Sequence, residues 1–461
     1  MRRLELMLVC GLILILALST FAQKQEPPAG GVPKDFILPK TETFKLNNGM
    51  AVTLVPYGTL PKVDVRVVVR TGNLDEGKNE IWLADLTGNL MKEGTTTRTA
   101  AQITSEAAGM GGDISISVGA EQTYIQGEVL SRFAPNLVAL LGDIIQNPLL
   151  PETEIERLKN DLVRSLSVQM TQPDNLALDK FRQVLYGNHP FGNIFPTEAM
   201  LKSYTVASAR AYYEKNFGAV RSHIYIAGVF DSKAVKKAIR ATFSGWNGGS
   251  EPLVMIPEPV SERKIHIVDR PDAPQSTVFI GKPVINPADS DYVAMIITNA
   301  LLGGMFSSRI TTNIREDKGY TYSPNGALSS RYRDAYWLEE ATVGTEVTAP
   351  TLKEIFYEIQ NLCDNPPSEE ELKGVQNYMA GIFVLQNSSR SGIINQLAFL
   401  NLHGLDASYL TNYVKNVHSL KPQDIQNTAK QYLDPGKMTI VIAGDRKKIA
   451  KDVSQYGPLA E

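Results

Sequence analysis

The chain is poor in the residues that build cross-links and metal sites. Of its 461 residues only two are cysteine, Cys10 and Cys363, and only five are histidine. Cys10 falls inside an apolar run that reads as a removable signal, so Cys363 is expected to stand alone and no intrachain disulfide is expected. Cys10 also lacks a Leu-Ala-Gly lead-in, which argues against lipid attachment there. The histidines are His189, His223, His266, His403 and His418. None has a second histidine three or four residues away, which excludes a paired-histidine zinc helix. A large charge of either sign is also missing. The net charge of -3 gives no reason to expect a nucleic-acid partner.

What is present is an ordinary globular composition, 43% hydrophobic and 21% charged, in a chain too long for a single core. Arg2-Arg3 precede the apolar run Leu6 to Ala22, closed by the small residues Thr20 and Ala22. This reads as a secretory signal over 1–22 and predicts a periplasmic or secreted protein. Only an uncleaved signal would tie the chain to a membrane. Residues 23–40 read as an extended Pro- and Gly-rich leader. A hairpin follows, with Asn48-Gly49 at its turn, then a strand over Val63 to Val69. Helices are expected near Trp82 to Met91 and from Ala101 to Ala108. Strands follow over Asp113 to Val118 and Gln122 to Val129, and long helices over Leu137 to Ile145 and Glu152 to Met170.

Two signatures repeat along the chain. Ile145-Gln146-Asn147 is followed thirteen residues on by Leu158-Lys159 (158 − 145), and Ile359-Gln360-Asn361 by Leu372-Lys373 at the same interval (372 − 359). Ser203 precedes Ala227-Gly228 as Ser419 precedes Ala443-Gly444. Nearly one offset for two motifs argues for an ancient duplication. The halves are then 41–248 and 263–461, joined by a Gly- and Pro-rich linker at 249–262. Each mixes strand pairs with long helices, so the expected class is α+β, two homologous sheet-and-helix sandwich domains.

The stretch from Val293 to Tyr322 carries the most chemistry. Val293, Ile296, Ile297, Ala300 and Leu301 make one helical stripe. Gly303-Gly304 is expected to end that helix by a left-handed cap. Ser307 or Ser308 can cap a shorter helix whose apolar face is Phe306, Ile310 and Ile314. Gly319 stops it, and Tyr320 to Tyr322 is expected to begin a strand. Arg315 and Tyr322 then stand at neighbouring element ends. The ordinary alternative is a solvated Arg315 paired with Glu316 or Asp317, and a core Tyr322.

This segment resembles the C-terminal half of the M16 metallopeptidases, the pitrilysin, insulinase and mitochondrial processing peptidase-like family. The match rests on Leu302, Gly303-Gly304, Phe306, Ser308-Arg309, Arg315 and Tyr322, and the likeness extends from about Phe44 to Gly444. The resemblance implies two halves of one fold facing each other across a cavity. It implies roles for Arg315 and Tyr322 at a substrate carbonyl, and for Gly303, Gly304 and Phe306 in holding substrate. It also implies an inverted zinc motif, His-x-x-Glu-His, ahead of Gly94-Thr95. Asp85, Gly88 and Asn89 occupy those positions, and Ser165 falls at or near the third ligand. No cofactor is therefore expected in this chain. His189, in a loop typical of the family, reads as structural.

The resemblance thus implies the non-zinc subunit of a two-chain peptidase acting on peptides, inactive alone, with zinc in a partner that carries His-x-x-Glu-His. The glycine loop is much shorter than that of the processing enzyme's α subunit, which sets presequence recognition aside. A non-catalytic scaffold, or a homologue that only binds extended peptides on a sheet edge, stands as the alternative.

Overall fold

The computed structural model describes residues 36–460; the expected signal and most of the leader lie outside the described residues. The first half contributes β1 (Glu42–Lys45), β2 (Ala51–Pro56), β3 (Lys62–Val69), β4 (Asp113–Val118), β5 (Thr123–Leu130) and β6 (Ser222–Gly228). These form a six-stranded sheet in the order β1-β2-β6-β3-β5-β4. The second half contributes β7 (Ile265–Asp269), β8 (Gln275–Val284), β9 (Asn325–Arg331), β10 (Asp334–Gly344) and β11 (Thr439–Gly444), in the order β7-β11-β8-β10-β9. Beyond β1 the two orders correspond strand for strand. In each sheet one pair is parallel, β2 with β6 and β7 with β11, and the other neighbours are antiparallel. The fold is α+β with two matching sheet-and-helix halves.

Strand sequences explain why both sheet faces are covered. In β3 the odd residues Val63, Val65, Val67 and Val69 enter the core of the first half, against Leu86, Leu90 and Leu141. The even residues Asp64, Arg66 and Val68 point to the other face, and Asp64, Arg66 and Val68 are buried too. A strand buried on both sides favours a near-continuous apolar run, which in β3 only Asp64 and Arg66 interrupt after Lys62. The hairpin turn uses Gly49 at φ +94°, a conformation that favours glycine.

The cover for the second face comes from the opposite half. Helix Pro173–Tyr186 leaves the first half and lies on the second sheet, placing Ala177, Phe181 and Leu185 against Phe279, Tyr336 and Val441. Helix Arg390–His403 returns the exchange, packing Ile393, Ile394 and Ala398 on Val55, Val68, Tyr225 and Ala227. Gly281 of β8 makes room for the exchanged ring: a Cβ there would lie 2.8 Å from Phe181 Cζ. Polar groups close the same seams. Arg66 donates to Asn395 and, at 2.7 Å, to Ser391 Oγ. Glu128 accepts from Lys62 and Arg390, each at 2.7 Å. Residues 249–262 carry no regular structure, and Arg221 holds their start through the carbonyl of Ser250 at 3.0 Å.

Candidate functional site

The helix Tyr292–Asn299 continues into a π-helical turn, Ala300–Gly304, and a second π-helical turn, Thr312–Asp317, carries Arg315. Such turns concentrate at functional sites. They also correct the expected role of the glycines. Neither Gly303 nor Gly304 takes a positive φ, so neither is a left-handed cap. They are required by close approach instead. A Cβ on Gly303 would lie 2.1 Å from Glu339 Oε2 and 3.1 Å from Gly326 Cα, and one on Gly304 would lie 3.1 Å from Gly326 O.

Glu339, beneath that glycine pair, was not legible in the sequence. Its side chain is fully buried, and neither carboxyl oxygen has a hydrogen-bond partner among the described residues. Burial pushes its pKa well above the ordinary carboxyl value, so it is held as the neutral acid.

Ser308 caps the short helix Arg309–Thr311, as the sequence allowed, and Ile310 and Ile314 are buried. Phe306 is not: it is 68% exposed, because the chain is extended at Met305 and turns it outward. The expected strand at Tyr320 to Tyr322 is likewise absent. Only a single bridge joins Thr321 to Val343, and the strand begins at Asn325. Gly319 does end the helical stretch, at φ +65°.

These departures bring three candidate residues together. The Arg315 guanidinium lies 4.2 Å from the Phe306 ring centroid and 5.1 Å from that of Tyr322. Tyr322 is 81% exposed, not a core residue, while Arg315 does pair with Glu316 at 3.3 Å. The turn itself is anchored firmly. Arg309 grips Glu371 with two bonds of 2.7 Å, Asn313 donates to Glu358 at 2.7 Å, and Thr321 donates to the Thr342 carbonyl at 2.7 Å. A bidentate guanidinium–carboxylate pair fixes direction as well as distance. A half-buried arginine and an exposed phenol thus stand together on a rigid base.

The four positions aligned with a zinc site do not fit zinc. Asp85 and Gly88 lie on helix Leu83–Met91 with Asn89, and Ser165 lies exposed on helix Ile155–Gln169. Asp85 accepts from Asn73 at 2.9 Å, and Asn73 also donates to Glu76 at 3.1 Å. Burial raises both carboxyls, Glu76 to about 8. Gly88 is buried, and a Cβ there would come within 2.9 Å of Val118 Cγ2, so a glutamate would not fit without movement. Ser165 Oγ accepts from Gln169 at 3.0 Å. Among the described residues no group of three or more His, Cys, Asp or Glu could hold a metal ion. His189 caps the turn Pro190–Gly192, accepting from Phe191 N at 3.2 Å through Nδ1, a structural role.

Residues 53–196 match the insulinase (peptidase family M16) family, and residues 203–379 match the peptidase M16 inactive domain. The chain belongs to the M16 peptidase family. An uncharacterized zinc protease of Rickettsia felis is 25% identical over 344 residues, 74% of this chain and 83% of its own length. The non-peptidase homolog YmxG of Helicobacter pylori is 20% identical over 398 residues, 84% of this chain and 90% of its own. Among solved structures, a peptidase M16 inactive domain from Pseudomonas fluorescens superimposes with a TM-score of 0.81 at 23% identity. That likeness covers 88% of this chain and 98% of the other, and shows the shared fold.

Proposed function

We propose that this chain is the non-zinc subunit of a two-chain M16 peptidase that cleaves peptides. The observation that carries this reading is the half-buried Arg315 stacked on the exposed Tyr322 and Phe306, in a chain whose zinc positions hold Asp85, Gly88 and Asn89. The metal and the carboxylate that activates water belong, in this reading, to a partner M16 chain with an intact His-x-x-Glu-His.

This chain's part is charge stabilisation. The Arg315 N–H groups and the Tyr322 O–H donate to a peptide carbonyl oxygen as negative charge builds on it. A donor held ready for that oxygen lowers the barrier without reorganising at the moment of reaction. Stacking over Phe306 and Tyr322 fixes the guanidinium plane, so less freedom is lost when the peptide binds. Gly304 is exposed and leaves backbone that an extended peptide can approach, whereas Gly303 is buried against Gly326 and Glu339. The apolar run Leu6 to Ala22 supports placing this activity outside the cytoplasm.

A second reading keeps the chain as a scaffold or peptide-binding homologue; the name of the Helicobacter pylori relative, a non-peptidase homolog, favours it. Mixing separates the two. The chain is purified alone and together with an intact His-x-x-Glu-His chain from the same source, and peptide hydrolysis is followed. We expect hydrolysis only in the mixture. Equal hydrolysis by the partner alone would leave this chain a scaffold.

A further inference from the structure

A pocket of about 490 Å³ opens on the face of the first sheet that helix Arg390–His403 covers, and it shares no residue with the Arg315 site. Val68 and Ala51 of the sheet, Asn401 of that helix and Val254 of the segment between the halves line it. Two cations reach the space, Lys45 and Arg70, and neither makes an ion pair among the described residues. The Arg70 guanidinium lies 5.2 Å from the Tyr332 ring centroid, and its Nε has no hydrogen-bond partner among the described residues. Arg221, by contrast, is spent on Asp75 at 3.4 Å and on the carbonyls of Ser250 and Glu251. Glu251, an exposed residue, also lines the pocket.

The neutral groups around these cations are donors or wait for one. Gln122 uses its Oε1 to accept from Tyr124 OH at 2.7 Å, which leaves its two N–H donors uncommitted. His223 is bonded through Nε2 to Thr53 Oγ1 at 2.8 Å, while its buried Nδ1 has no partner. The field of the cations is felt nearby. Burial and the Lys45 charge push His223 down to about 3, and burial with Arg333 and Arg70 pushes His403 down to about 4. Both rings stay neutral, so the positive charge of the pocket sits on Arg70 and Lys45.

We propose that this seam pocket binds the carboxylate end of a short apolar peptide, with Arg70 and Lys45 taking the carboxylate and Val68, Val220 and Val254 the last side chain. A planar guanidinium forks a carboxylate with two bonds, and a half-buried setting strengthens them. The volume suits a few residues rather than a folded partner. The lining is mostly polar, and Val220, Pro252 and Val254 beside the cations give one side chain a place that a bare oxyanion would leave empty.

Calorimetric titration of the purified chain decides it, using the tripeptide Ala-Leu-Val as free acid, its C-terminal amide, and inorganic phosphate. We expect the free acid to bind, and the amide and phosphate to bind at least about tenfold more weakly, since one charged hydrogen bond is lost or the apolar contact is missing. Arg70→Gln should weaken the free acid by about tenfold or more. Lys45→Met, at an exposed position that folding does not need, should weaken it several-fold and decides the matter if Arg70→Gln does not fold. Equal binding of acid and amide, phosphate binding without peptide binding, no binding of the acid, or unchanged affinity in Lys45→Met would each overturn the site. Arg315→Ala is expected to leave this affinity unchanged, which keeps the outcome separate from the peptidase reading.

Discussion

Tyr186, at the end of the first half's exchanged helix, donates its hydroxyl to the carboxylate of Asp334 in the second half at 2.5 Å. Both residues are buried, and the bond ties the exchanged helix to the start of β10. Tyr186→Phe keeps the ring against Phe191 and Tyr336 but leaves Asp334 without that donor. A hydrogen bond to a charged group contributes about 1.5–3 kcal/mol, so unfolding stability should fall by that amount. The midpoint of urea unfolding should drop with its slope unchanged.

The exchange itself is tested by Phe181. Its ring is fully buried between the exchanged helix and the second sheet, in edge contact with Tyr336 at 5.5 Å between centroids. Phe181→Ala removes a large apolar group where Gly281 leaves nothing to collapse inward. The expected cost is about 3–5 kcal/mol. A loss below about 1 kcal/mol would mean that the exchanged helix contributes little to holding the halves together.

Glu339 gives a prediction with a definite pH sign. Its folded pKa is raised above the ordinary value of 4.5 by burial. A raised acid contributes most below its unfolded pKa, and that contribution is lost as pH rises toward the folded value. Glu339→Met removes the titration and fills the space beneath Gly303 and Gly326 with an apolar side chain. The variant should be more stable than the parent at pH 7, by about 1–3 kcal/mol for one unpartnered buried group. That gain should shrink as pH falls toward 4.5. A gain that is constant or grows on acidification contradicts a buried neutral acid at this position.

Much of this was legible in the sequence, and the remainder was hidden for identifiable reasons. The strands over 63–69 and 113–118 follow from alternation and β-branched residues, and the duplication from two motifs at one offset. Both are local or periodic signals. The exchange of helices 173–186 and 390–403 was not, because an amphipathic helix shows that it has an apolar face and not which sheet receives it. At the candidate site, Ser308, Ile310, Ile314 and Gly319 behave as their local chemistry implies. Phe306 does not, since an aromatic residue in a short apolar pattern reads as core, and the strand expected at Tyr320 to Tyr322 is reduced to one bridge at Thr321. Gly303 and Gly304 were noticed as helix breakers, whereas their cause is Glu339, thirty-odd residues away on β10.

The zinc positions predict a composition. Asp85 and Asn89 are committed to hydrogen bonds with Asn73 and Lys92, and Ser165 to Gln169. The purified chain should therefore carry far less than one zinc per molecule by elemental analysis, with or without added zinc. One equivalent, lost on mutation of Asp85, would mean that the first half holds a metal after all.

In the proposed function Arg315 and Tyr322 act on a substrate bound against a partner's zinc. Turnover of the reconstituted two-chain complex, measured for Arg315→Ala and Tyr322→Phe, tests it most directly. Tyr322 is too exposed for loss of its hydroxyl to disturb folding. Removing one donor of this kind should lower turnover by about 10²–10³ while the two chains still associate. Turnover within about threefold of the parent for both variants, in an intact complex, would contradict the account and leave Arg315 as a stacked surface charge.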